Sequence, residues 1–162
     1  MTISVGDHLP EASLLRWGEK GPERVSLHAL LAGRNAVMFG LPGAYTPTCT
    51  AAHVPSFIRT IAALRAKGVD AVICVAVNDA HVMRAWGEAT GATAAGIMML
   101  ADGASELTRA LGLAYDAPAA GMFGRSQRYA LQAVDGVVRV LHIEQNRGTC
   151  EGSGGEAMLA AV

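Results

Sequence analysis

Leu41-Pro42-Gly43-Ala44-Tyr45-Thr46-Pro47-Thr48-Cys49 joins an apolar, strand-like run to an amphipathic helical pattern, and the fold turns on that junction. Thr46 is suited to cap the helix with Pro47 as its first residue, which puts Cys49 in the first turn. Unpaired backbone N–H groups and the positive end of the helix dipole favour a thiolate there, in one of the few settings that lower a cysteine pKa. The segment therefore predicts a reactive thiol at a strand-to-helix turn.

Outward from this junction, short apolar runs bounded by turn residues predict buried strands at Asn35–Phe39, Ala71–Val77 and Ile97–Leu100. Helical spacing lies between them. Val54, Phe57, Ile58, Ile61 and Leu64 share one face before Gly68 stops the helix, and Pro55 should bend it near its start. A second helix opens at Asn78 or Asp79 and should bury Val82, Ala85, Trp86 and Ala89; a shorter one spans Ser105 to Leu111. The period then becomes that of strands. Tyr129–Val134 and Val137–Ile143 flank Asp135-Gly136, a strong hairpin signal, and Glu156–Val162 reads as a closing helix. The order predicts a single α/β domain over residues 1–162 with a thioredoxin-like fold, a mixed central sheet with helices on both faces.

Composition narrows the function. The chain has 162 residues, 51% of them hydrophobic and 17% charged, enough for one sizeable core. A formal net charge of -1 without a Lys/Arg block argues against a nucleic-acid surface, and no apolar run approaches a membrane span. The N-terminus lacks a basic start and an apolar signal core, so a cytoplasmic location is expected. Three cysteines without an export signal suit redox chemistry better than a disulfide framework. No cofactor is expected, because Gly152–Gly155 lacks the following Lys-Ser/Thr of a phosphate loop. Cys49 and His53 lie one helical turn apart, but two ligands make no metal site, and His53 is expected to pack or hydrogen-bond near the helix.

Pro42, Thr46 and Cys49 make a Pro-x-x-x-Thr-x-x-Cys signature, and His53-Val54-Pro55-Ser56-Phe57, Val77-Asn78-Asp79, Ala85-Trp86 and Gly124-Arg125-Ser126-Gln127-Arg128-Tyr129 follow it in order. With these segments the chain resembles the peroxiredoxins, in the branch of the plant type II and mammalian atypical two-cysteine enzymes. A dithiol oxidoreductase of this layout would need Cys-x-x-Cys, and Thr46 stands at the first of those positions. The resemblance implies a peroxidase reducing hydrogen peroxide and alkyl hydroperoxides through a Cys49 sulfenic acid. It gives Thr46 a hydrogen bond to thiolate or peroxide, Arg128 the role of stabilising the thiolate and orienting substrate, and Pro42 that of shielding it from water.

The sulfenic acid needs a second thiol. Cys150 lies in a polar, glycine-rich stretch, Asn146–Gly155, expected to be exposed and mobile, and resembles the mammalian pattern. Cys74 is the alternative, with a spacing like the plant pair but a mid-strand position; an external thiol such as glutathione is the third. The resemblance also implies thioredoxin or glutaredoxin as electron donor, and a homodimer near the loop at Tyr45, where the family commonly has Phe. A redox-sensing or chaperone-like protein on the same fold is the competing reading.

Overall fold

The computed structural model describes residues 1–162. Alternation along β3, Asn35–Leu41, organises the molecule: Val37, Phe39 and Leu41 point into one core and Ala36 and Met38 into another. β3 lies in parallel beside β4 (Ala71–Ala76), which lies in parallel beside β5 (Met98–Ala101). On its other side β3 meets the hairpin of β8 (Tyr129–Val134) and β9 (Val137–Ile143) in antiparallel register. Asp135 and Gly136 take φ of 49° and 76°, as the tight turn that matches strand twist requires.

A hairpin of β1 (Ser13–Gly18) and β2 (Gly21–Ser26) completes the sheet in the order β2-β1-β5-β4-β3-β8-β9. Sequence patterning missed it. Its outer strand carries Pro22, Glu23 and Arg24, the polar dressing that keeps an edge from pairing onward, and so lacks an apolar run. A smaller sheet of β6 (Ala114–Ala117) and β7 (Met122–Ser126) also lies outside the expected strands; both are short, and Asp116, Gly124 and Arg125 interrupt any apolar run.

Helices cover both faces. On the Phe39 side lie α2 (Val54–Ala66), α3 (Ala80–Thr90), α4 (Ala92–Ala95) and α6 (Gly155–Ala161), which contribute Phe57, Leu64, Met83, Trp86, Ala92 and Met158. On the Met38 side, α1 (Leu27–Leu31) and α5 (Glu106–Ala110) contribute Leu27, Leu31 and Leu107. α3 is capped by Asp79, whose carboxylate accepts from the Val82 N–H at 2.9 Å. Its buried face is Ala80, Met83, Trp86 and Gly87, whereas Ala85 and Ala89 are exposed and Val82 half-buried. The buried face is turned from the expected one toward Met83 and Gly87, because Gly87 packs where a Cβ would strike Thr93 and Met99.

Residues 153–155, expected to be exposed and mobile, are buried. Without a Cβ, Gly155 lets α6 dock on α2, where its N–H donates to Ser56 Oγ at 2.8 Å and a Cβ would collide with the Ser56 carbonyl. No helix is long and apolar enough to cross a membrane.

Candidate active site

The chain leaves β3 at Leu41, turns through Pro42–Thr46, and re-enters helical structure so that Cys49 lies wholly buried against Phe39 and Phe57. Cys49–His53 form one π-helical turn instead of an α-helical one, closed by Val54 N–H on the Cys49 carbonyl. Pro55 supplies the reason. It has no N–H to extend the ladder and its ring crowds the preceding turn, so the widened turn takes up the expected bend.

Thr46 opens the helix with its carbonyl, which accepts from Thr50 N–H at 3.1 Å, but its side chain does not cap. The hydroxyl instead donates to the Gly43 carbonyl at 2.7 Å, within a turn also closed by Thr46 N–H on the same oxygen. The intervening Tyr45 is left-handed, with φ of 63°. Two further residues, neither given a role in the sequence reading, pin this loop: Arg125 Nη1 donates to the Pro42 carbonyl at 2.9 Å, and Asn78 Oδ1 accepts from Ala44 N–H at 2.9 Å. Both lie in segments noted for resemblance, which was the only signal that could have found them. Pro42, Thr46, Thr48, Tyr115, Met122 and Arg128 line a cavity at the surface beside the cysteine.

Arg128 precedes β8 and, by strand alternation, projects to the same side as Ala130, into the Cys49 core. It is 1% exposed, and Nη2 donates to Cys49 Sγ at 3.3 Å. Nη2 also donates to the Arg147 carbonyl at 3.2 Å, and Nη1 meets His53 Nδ1 at 3.0 Å. The guanidinium thus links the π turn, the sulfur and the loop after β9. His53 is itself buried, with Nε2 on the Ser153 carbonyl at 2.9 Å; burial, and then the Arg128 charge, push its pKa down to about 3.

The loop carrying Cys150 is gathered around Glu144. The carboxylate accepts from Glu151 N–H, Ser153 N–H and Ser153 Oγ at 2.8 to 2.9 Å and from Thr149 Oγ1 at 3.3 Å. Thr48 Oγ1 donates to the Gly148 carbonyl at 3.2 Å, so the loop is fastened to the active-site turn. Cys150 is half-buried, and burial raises its pKa while the Arg128 charge opposes that rise. Cys74, in β4, is fully buried in the Cys49 core, and burial, with the nearby Cys49 sulfur, pushes its thiol well up.

The redoxin family pattern matches residues 4–159. Peroxiredoxin-2E-2, chloroplastic, of Oryza sativa subsp. japonica is 50% identical across 99% of this chain and 73% of its own length. The chain belongs to the peroxiredoxin family. Peroxiredoxin-2C from the same plant is 44% identical over 99% of this peroxiredoxin and 98% of its own length. Among solved structures, the reduced Prx3 of Vibrio vulnificus in complex with hydrogen peroxide superposes with a TM-score of 0.92 at 45% identity over 99% of each chain. The fold is thioredoxin-like, and this peroxiredoxin is a thiol-dependent peroxidase, an oxidoreductase that takes a peroxide as substrate and a thiol as reductant.

Proposed function

We propose that Cys49 is the peroxide-attacking thiolate, and that Arg128, Thr46 and Pro42 complete the site. The supporting observation is the Arg128 Nη2 bond to Cys49 Sγ at 3.3 Å, a donor whose permanent charge favours ionised sulfur. The sulfur attacks one peroxide oxygen; an S–O bond forms, the O–O bond breaks, and the leaving oxygen departs with the electron pair and takes a proton. Hydrogen peroxide yields water and an alkyl hydroperoxide yields an alcohol, while Cys49 is oxidised by two electrons to sulfenic acid. In this reading Arg128 stabilises charge on the departing oxygen, the Thr46 hydroxyl oxygen, its own hydrogen donated to the Gly43 carbonyl, accepts from the peroxide O–H, and buried Pro42 keeps water from the sulfur.

Cys150 is the proposed resolving thiol. Its loop already lies against Thr48 and Arg128, and Cys150 is more accessible than Cys74, which would have to leave the centre of β4. Its thiolate attacks the sulfenic sulfur, hydroxide leaves as water, and a Cys49–Cys150 disulfide remains for thioredoxin, or glutaredoxin with glutathione, to reduce. A reducing cytoplasm suits that cycle, and the exposed Tyr45 ring offers a surface for a homodimer.

Steady-state peroxide consumption with dithiothreitol, thioredoxin, or glutathione plus glutaredoxin tests this reading. Cys49→Ser should abolish turnover with the fold intact; turnover near the wild-type rate would remove Cys49 from the role. Unreduced digests of peroxide-treated protein should yield a Cys49–Cys150 peptide. A dominant Cys49–Cys74 peptide would reassign the resolving thiol, and neither peptide with turnover on glutathione alone would indicate a one-cysteine cycle.

A further inference from the structure

We infer that His53 is a positioning residue: its neutral imidazole holds the Arg128 guanidinium as a hydrogen-bond acceptor without cancelling its charge, leaving that charge for the Cys49 sulfur. This rests on Cys49 being the peroxide-attacking thiolate.

The tautomer follows from the partners. A carbonyl oxygen can only accept, so the 2.9 Å contact between Nε2 and the Ser153 carbonyl requires the proton on Nε2. Nδ1 of the neutral ring then keeps its lone pair, toward which Arg128 Nη1, always a donor, points at 3.0 Å. A protonated ring would have no acceptor for Arg128 and would face a like charge in a buried site. The downward shift of the His53 pKa to about 3 agrees with a ring that stays neutral near neutral pH.

The surroundings of Arg128 give this neutrality its consequence. A buried guanidinium is ordinarily paired with a carboxylate. The ion pairs are Arg16–Glu23, Arg59–Glu156 and Arg84–Glu88, with His28 also near Glu11, so none involves Arg128. Its hydrogen-bond partners are a neutral ring nitrogen, the Arg147 carbonyl and Cys49 Sγ, and its Nε has none. The sulfur is the only one of these able to carry a negative charge. An aspartate at position 53 could orient the same fork, but would compete with the sulfur as counter-charge; a neutral acceptor orients it and does not compete.

The fold fixes the imidazole itself. His53 ends the π turn that Cys49 begins, and its ring packs 4.9 Å from the Phe39 ring and 5.7 Å from that of Phe57. His53 and Arg128 are both buried, so water has no open path to take the place of Nδ1.

Three substitutions and one measurement on the unaltered protein test this. Asn places an acceptor where Nδ1 sits and loses the donor to Ser153, Gln keeps a donor where Nε2 sits and loses the acceptor, and Asp supplies an acceptor with a charge. His53→Gln should slow the second-order reaction with hydrogen peroxide by roughly tenfold or more. His53→Asn should recover much of that loss, and His53→Asp should not. Asn no better than Gln, or Asp as fast as Asn, would overturn the inference. Nitrogen chemical shifts of His53 in the wild-type protein should show protonated Nε2 and bare Nδ1 around neutral pH. A protonated Nδ1 would overturn it even if every variant misfolds. Turnover surviving in Cys49→Ser would strike at the peroxide assignment instead, and the tautomer would still decide whether Arg128 has its acceptor.

Discussion

At Arg128 a cation is kept from water with no carboxylate beside it, and its Nη2 lies against the Cys49 sulfur. Removing it should cost rate far more than stability. Arg128→Ala deletes the charged donor to Sγ and opens a polar space that water can enter, so the second-order rate with peroxide should fall by about a hundredfold or more. An unchanged rate in stopped-flow peroxide reduction would take Arg128 out of the site. Sequence reading could name this residue through the motif around it, but not its other bonds. The contacts to His53 and Arg147 join positions 53, 128 and 147, which are far apart in the chain.

Among the elements, the loop between β9 and α6 departs most from expectation. Its glycines and polar residues suggest mobility, yet a single carboxylate, Glu144, collects four donors from it. Burial alone would raise the Glu144 pKa, but bonds from Ser153, Glu151 and Thr149 outweigh it and hold the carboxyl below its ordinary 4.5. A carboxyl whose folded pKa is depressed stabilises the docked loop above its unfolded value, and that contribution is lost as pH falls through the folded value. The loop is therefore held at neutral pH and released in acid. Glu144→Gln should loosen it at neutral pH by about 1 kcal/mol, roughly fivefold in the open population. The measurement is the alkylation rate of Cys150 in a Cys49→Ser background, where Cys74 is buried; at one neutral pH it should rise in the variant. Because acid also removes thiolate, the parent's rate is divided by that of a free thiol at the same pH, and that ratio should rise on acidification. No rise in either would show that Glu144 does not govern access to Cys150.

For the whole molecule, the sheet divides two cores, and Cys49 and Cys74 both lie in one of them. Phe57 stacks on Phe39 at 4.1 Å and nearly parallel beneath His53, in the same cluster as Cys49 and Cys74. Leu131 is equally buried but belongs to the opposite cluster with Met38 and Leu107. Leu131→Ala should cost about 2–5 kcal/mol by urea denaturation while leaving the peroxide rate of the folded protein nearly unchanged. Phe57→Ala should cost about 3–5 kcal/mol and also slow the reaction, because the imidazole loses its wall. Equal kinetic effects from the two substitutions would show that the cores are not separable in this way.

Local chemistry made the strands β3 and β4, the Asp135-Gly136 hairpin, a helix opening at Asn78 or Asp79 and the place of Cys49 after a strand-to-helix turn legible from the chain alone. Each depends on apolar periodicity, turn residues or a helix start within a few positions. The β1–β2 hairpin and the β6–β7 pair were not legible, since edge and accessory strands need no long apolar run. Nor was the Thr46 hydroxyl bond to Gly43, because cap and turn compete for one hydroxyl and left-handed Tyr45 decides the contest. The sequence by itself determined that a thiol would stand at a strand-to-helix turn of a thioredoxin-like domain. Only the tertiary structure decided what surrounds that thiol. Parallel crossovers and the β8–β9 hairpin bring positions 49, 53, 128 and 153 within hydrogen-bonding distance, and a contact made by chain return leaves no periodicity in the residues that make it.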